Sequence, residues 1–422
     1  MLFVDCIDNQ HHINYGFTMI RREIEDTVRR YAREYPVVTI TGPRQSGKTT
    51  LCKMVFPEMP YASLEDPEER EFALNDPRGF LVRFPDGAVL DEIQRAPDLL
   101  SYIQGIVDER QRPGHFVVTG SQNFELLQTV SQSLAGRTAI ARLLPFSLAE
   151  IRKLRPAPLS MDEAIYSGSY PRIFDRKLDP REALAFYFAT YVERDLRQLI
   201  NVRDLSGFEI FMKLCAARCG QLVNLSSLGN DCGVAHNTVK QWLSILEASY
   251  IIKLLPPYYR NLGKRLVKTP KMYFIDTGLA SYLLGIQKVD HVSAHHLKGA
   301  LFENLVLSEL IKSRFNRGRD DNLYFLRDRK GKEVDILLDY GTSLDLVEVK
   351  AGQTISGSFF SGIEYYRRIY AETKNCLLVY GGAKAHVQEG VSVIPWKGLP
   401  DLDIETHTPS SDVSFSGEPS RT

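Results

Sequence analysis

The sequence is poor in the features that mark whole classes of protein. Only six of its 422 residues are cysteine, at positions 6, 52, 215, 219, 232 and 376, and none forms a CxxC pair. That spacing argues against a disulfide framework or a zinc site and reads as small apolar core residues in a reducing compartment. No apolar run reaches the ~18–20 residues that span a bilayer, and the start, MLFVDCIDNQHH, lacks a charged-then-apolar signal pattern. The expectation is a cytoplasmic protein with no membrane partner. Neither sign of charge is in excess: 52 Lys and Arg balance 52 Asp and Glu. A uniformly basic nucleic-acid coat is thereby excluded, while a local basic patch is not.

What is present is ordinary in bulk. Hydrophobic residues at 44% and charged residues at 25% match a soluble globular chain. A length of 422 residues exceeds what one core supports, so two or three domains are expected. After a charged amphipathic helix, IRREIEDTVRRYAREY, the β-rich runs VVTIT (37–41), GAVLDE (87–92), HFVVTG (115–120) and TAIARLL (138–144) alternate with helical stretches. That alternation implies crossover units and a parallel sheet. Residues 161–220 read as helical, and 222–247 as two short helices around a turn, followed by a basic hairpin to about 276. A linker near 285–296 leads to a long helix at 298–315. A β-hairpin is expected at 333–350, then a helix at 359–372 and strands at 376–380 and 391–395. The tail 401–422, with five acids, one base and five serines, reads as disordered.

Residues 42–49 read GPRQSGKT, the spacing G-x-x-x-x-G-K-[ST], between an apolar strand and a helix start. Gly42 and Gly47 allow backbone conformations closed to other residues, so loop amides can turn inward around phosphate oxygens. The following helix presents its positive end. Gly42, Pro43, Arg44, Gln45, Ser46, Gly47, Lys48, Thr49 and Thr50 are therefore the expected ATP-binding segment. Lys48 would reach the β- and γ-phosphates and Thr49 would ligate Mg²⁺. About forty residues on, a strand ends in Asp91 and Glu92. Asp91 is expected to complete the Mg²⁺ shell and Glu92 to polarise the attacking water. Ser121, after a third strand, reads either as a group beside the γ-phosphate or as a turn residue. Arg137, before the next strand, reads either as an arginine reaching a neighbouring subunit's γ-phosphate or as an ordinary surface arginine.

Two further patterns stand downstream. LSSLGNDCGVAHNTVKQWLSILEASYII has helix–turn–helix spacing, with Leu225, Leu228 and Val234 facing Val239, Leu243 and Leu246. Gly229, inside the first helix, weakens that reading. The segment 257–271 holds five bases and no acid. Arg260, Lys264, Arg265 and Lys268 are its candidate DNA contacts, with protein docking the competing role. Near the end, 333–339 and 344–350 alternate with the two-residue strand period. A turn around Gly341 would set Asp335 opposite Glu348 and put Lys350 on the same face. Two such carboxylates repel unless a cation lies between them. Glu303 shares an apolar helix face with Leu307 and Leu310 and needs a partner there. The competing view is an exposed hairpin with ordinary surface charges.

GPRQSGKTT, VLDEIQRAPD, VTGSQ and SLAGR, in that order, resemble the predicted AAA-type ATPases of bacteria and archaea. KTPKMYFIDTGLASYLLG and LFENLVLSEL…FLRDRKGKEVDILL…EVKAG resemble that family's C-terminal region, and the likeness spans roughly 19–397. The acid on a helix followed by D-x12-E-x-K is similar to the PD-(D/E)XK nuclease fold, which implies Glu303, Asp335, Glu348 and Lys350 as a nuclease site. The sequence departs from the ATPase pattern at the lid, where only Arg172, in GSYPRIF, is a candidate γ-phosphate arginine. The fold class expected is α/β, with five segments. They are a leader (1–18), a P-loop parallel-sheet ATPase domain (19–160), a helical and winged-helix middle (161–284), an α/β nuclease-like domain (285–400) and the tail (401–422). The leading function is an ATP- and Mg²⁺-dependent ATPase acting on a bound polymer, with DNA and a homo-oligomer as candidate partners. A nucleotide-regulated Mg²⁺-dependent nuclease and a non-hydrolysing protein-interaction switch are the alternatives. The role of Asp276, in YFIDTGL, is left open between chemistry and structure.

Overall fold

The computed structural model describes residues 20–121, 130, 133–155, 157–190, 205–258 and 268–402. The leader, most of the tail, and the candidate DNA contacts Arg260, Lys264 and Arg265 lie outside the described residues. The chain is α/β, with a parallel sheet at the N-terminal end, a helical middle and a mixed sheet at the C-terminal end.

The first sheet has the order β2-β3-β4-β1-β5, all parallel. Its strands are β1 (Val37–Thr41), β2 (Tyr61–Ser63), β3 (Ala88–Asp91), β4 (Phe116–Gly120) and β5 (Thr138–Arg142). The three central strands, β1, β3 and β4, are buried at every position. That is why they read as unbroken apolar runs: helices cover both faces of a parallel sheet. The short strand β2 has no such run and gave no signal in the sequence.

In the middle, Leu225–Cys232 and His236–Ala248 form two helices joined at Gly233, which adopts φ +70. Leu228, Val239, Leu243 and Leu246 are buried between them. Gly229 is no weak point. A Cβ there would lie 2.6 Å from the Val234 carbonyl oxygen, so only glycine permits this approach. An antiparallel pair, β6 (Ile252–Leu255) and β7 (Lys271–Phe274), follows.

The second sheet has the order β12-β13-β11-β10-β9-β8. It comprises β8 (Leu323–Arg327), β9 (Glu333–Asp339), β10 (Leu344–Lys350), β11 (Thr373–Tyr380), β12 (His386–Gln388) and β13 (Val391–Pro395). β9 and β10 are antiparallel, with Leu344 opposite Asp339 and Val347 opposite Ile336. The turn carries Gly341 at φ +81. The long helix Lys298–Asn316 is buried over most of its surface. One hydrophobic core runs from Leu144 to Leu399, so the helical middle and the C-terminal sheet are packed as one body. The described cysteines, Cys52, Cys215, Cys219, Cys232 and Cys376, are buried and free.

Asp276 is structural. It is 2% exposed and caps the helix Thr277–Leu283 by accepting from the Leu279 N–H at 2.9 Å. Its other oxygen accepts from the Ser169 N–H and hydroxyl at 2.7 and 2.9 Å. Replacing Asp276 with alanine removes a cap and orphans a second buried N–H. The expected loss is about 3 kcal/mol, read as a lower urea midpoint. An unchanged midpoint would contradict the capping role.

Candidate nucleotide site and C-terminal acidic cluster

The loop between β1 and the helix Lys48–Val55 is shaped by two glycines. A Cβ on Gly42 (φ +153) would stand 2.0 Å from the Leu143 carbonyl oxygen, and Gly47 turns the chain into the helix at φ +95. Lys48 is buried and donates to the loop's own carbonyls, Gly42 at 3.0 Å and Pro43 at 2.9 Å. Burial pushes its ammonium below the usual range, against the opposing pull of Glu92 and Asp91.

Asp91, at the end of β3, is 4% exposed and sits among three hydroxyls. Thr49 donates to Oδ2 at 2.7 Å, Tyr61 to the same oxygen at 2.5 Å, and Thr119 to Oδ1. Glu92 follows in the left-handed region (φ 58, ψ 46), where a non-glycine residue costs about 1–3 kcal/mol. Its carboxylate accepts from Ser121 Oγ at 2.9 Å and from the Gln94 amide. The structure thus brings together Lys48, Thr49, Asp91, Glu92 and Ser121. A cavity of about 830 Å³ opens here, walled by Lys48, Thr49 and Glu92 on one side and by Pro171, Arg172 and Arg176 on the other. That volume suits a small-molecule ligand. The glycine cradle, the lysine and the hydroxyl–carboxylate oxygen pair fit a nucleoside triphosphate with a hard divalent cation. Arg137 is outside this cavity, in a two-pronged ion pair with Asp108 at 2.5 and 2.8 Å.

Sequence reasoning missed three of these residues. Gln94 holds the Glu92 carboxylate, and Arg176 faces the cavity one helical turn beyond Arg172. The third, Arg22, is 5% exposed. It donates to the Ser46 carbonyl at 2.7 Å, the Leu144 carbonyl at 2.8 Å and Glu150 at 2.9 Å, with its guanidinium 4.8 Å from the centre of the Phe146 ring. Its sequence context, IRREIED, signals only a charged helix.

The second cluster joins β9, β10 and the helix Lys298–Asn316. The β9–β10 register, continued by one pair, sets Asp335 opposite Glu348. Asp335 accepts from the Val349 N–H at 2.9 Å. Lys350 Nζ is 2.5 Å from Glu348 and 3.4 Å from Asp335. Glu303 accepts from Tyr273 and from Lys271, the latter at 3.1 Å. Burial first, then the charge of Asp335, pushes Glu303 up to about 7 and Glu348 up to about 8. Lys271 departs from the expected basic, solvent-facing hairpin: it is 3% exposed and turned into the acids. Lys268 is exposed, as a surface contact requires.

A family model described as an AAA domain matches residues 34–152. Two domains of unknown function, DUF8612 and DUF4143, match 159–290 and 298–399. Uncharacterized proteins of Mycobacterium bovis and Mycobacterium tuberculosis are each 30% identical over 340 residues, 80% of this chain and 75% of theirs. The chain belongs to the family of these mycobacterial proteins, and its N-terminal part is an AAA-type ATPase domain. Likenesses to solved structures are remote. The Walker-type ATPase PABY2304 of Pyrococcus abyssi is 15% identical with a TM-score of 0.42, over 62% of this chain and 95% of that one. AMPPCP-bound DnaA from Aquifex aeolicus is 14% identical with a TM-score of 0.27, over 53% and 85%.

Replacing Arg22 with glutamine leaves Glu150 buried without its cation, at an expected cost of about 3–5 kcal/mol in denaturant titration. It also frees the Ser46 carbonyl and should weaken binding of an ATP analogue. Lysine at the same position should not restore it, since a compact ammonium lacks the planar fork that reaches the Ser46 and Leu144 carbonyls and Glu150 together. Unchanged affinity in Arg22→Gln would refute the clamp.

Proposed function

We propose that the chain hydrolyses ATP with Mg²⁺ and uses the cycle to act on a bound polymer, with DNA as the candidate. The observation that carries this reading is the Thr49–Asp91 hydrogen bond beside Lys48. It gathers a hydroxyl and a carboxylate next to the loop that would cradle phosphates. When bound, Mg²⁺ would neutralise charge on the β- and γ-phosphates. The chain's own groups do the rest. Lys48 exchanges the Gly42 and Pro43 carbonyls for phosphate oxygens. Thr49 and Asp91 would hold the cation. Glu92, once free of Ser121 and Gln94, orients and polarises the attacking water, and Ser121 helps to place it. Arg172 and Arg176 reach the pocket from the helical side. Arg137, outside its own pocket, would serve a neighbouring copy in a homo-oligomer, releasing Asp108 to do so.

The helices Leu225–Cys232 and His236–Ala248, with the basic segment that follows, are the proposed polymer contact, in a winged-helix arrangement. Phosphate contacts from Lys and Arg would make that binding fall steeply with salt. Against the nuclease alternative stands the pairing of Glu303 with Lys271, a cation from outside the expected set.

Phosphate release with and without DNA tests the reading. Lys48→Ala should abolish turnover. Glu92→Gln should lower kcat by roughly 10²–10⁴-fold while leaving ATP binding intact. Turnover that persists in Lys48→Ala would sink the ATPase assignment. A wild-type rate indifferent to DNA at low salt would remove DNA as the polymer.

A further inference from the structure

The nuclease-like resemblance implies a divalent cation among Glu303, Asp335 and Glu348. The residues present are arranged otherwise. Among the described residues, no group of three or more His, Cys, Asp or Glu side chains is set to hold a metal ion. Each carboxylate of the cluster already has a cationic partner. Lys350 bridges Glu348 and Asp335. Arg327 is 3.3 Å from Glu333. Lys271 pairs with both Glu303 and Glu333. One oxygen, Glu348 Oε2, is buried without a partner. With Asp335 Oδ1 and Glu303 Oε2 it makes three unengaged oxygens, each on a carboxylate whose other oxygen an ammonium already holds, short of the six or more ligands that a hard cation collects.

Lys271 occupies a built ammonium niche. It is carried on β7 of the helical middle, whereas the acids belong to the C-terminal half. Its Nζ lies 5.5 Å from the centre of the Phe325 ring and 6.0 Å from that of Tyr273. The Tyr273 hydroxyl donates to Glu303, the same carboxylate that Lys271 engages. Desolvating an ammonium is expensive unless its partners are well placed. Two carboxylates and two aromatic faces meet that condition. Without this ammonium, Glu333 would keep only Arg327 and Glu303 only the Tyr273 hydroxyl, which leaves excess carboxylate charge beside Asp335, the oxygen donors that Mg²⁺ and Mn²⁺ prefer. We infer that Lys271 is a tethered counter-cation: its ammonium takes the place of a divalent ion and closes the C-terminal acidic cluster to metal. This inference is independent of the nucleotide site.

Mn²⁺ uptake by the full-length, nucleotide-free protein, followed by the resonance of the free ion, tests it. Wild type and Asp335→Asn should take up the same amount. Lys271→Met should gain one Mn²⁺ per chain and lose it again in Lys271→Met/Asp335→Asn. Far-UV circular dichroism and binding of an ATP analogue report that the variants are folded. Asp335-dependent uptake by the wild type, or no gain in folded Lys271→Met, overturns the inference. If Lys271→Met is unstable, millimolar Mn²⁺ should raise its Tm and leave that of the wild type unchanged. Equal shifts in the two proteins also overturn it.

Discussion

Asp91 ties three separate segments to one point. Its carboxylate takes hydroxyl hydrogen bonds from Thr49 on the phosphate-loop helix, Tyr61 on β2 and Thr119 on β4. A buried carboxylate must have its oxygens satisfied. Satisfying them from three segments sets the loop's height above the sheet. Glu92 then follows in a left-handed turn that presents it to Ser121 and Gln94. The candidate chemistry is thus a consequence of one desolvated acid and the hydroxyls recruited to it.

A second constraint links the loop to the rest of the molecule. Arg22 joins the Ser46 carbonyl to Glu150 and lies over Phe146. The Phe146 carbonyl accepts from Lys312, on the helix Lys298–Asn316. Glu303 sits nine residues earlier on that helix, about 14 Å along its axis. The nucleotide pocket and the acidic cluster are therefore connected by packed, hydrogen-bonded groups.

What the sequence made legible was local. Gly42, Gly47, Lys48 and Thr49 lie within eight residues, so their spacing alone identifies the loop. The β9–β10 register could be read because a period of two and a glycine turn leave one pairing that buries the apolar face. Arg22 and Lys271 were not legible in their roles. Arg22 finds Glu150 across 128 residues, and Lys271 finds Glu303 across 32. In the sequence both are simply basic residues among other bases. Burial inverted Gly229 as well: a helix-weakening residue in isolation becomes the only one that fits against Val234. The three-residue strands β2 and β12 carry too few residues for periodicity to register.

The central claim is that Thr49 and Asp91 form the cation-holding half of a nucleotide site. The direct measurement is ATP affinity with and without Mg²⁺, in wild type and in Asp91→Asn. The account predicts that Mg²⁺ strengthens binding to the wild type, that this gain disappears in Asp91→Asn, and that affinity for metal-free ATP stays close to that of the wild type. An undiminished Mg²⁺ effect in Asp91→Asn would contradict it.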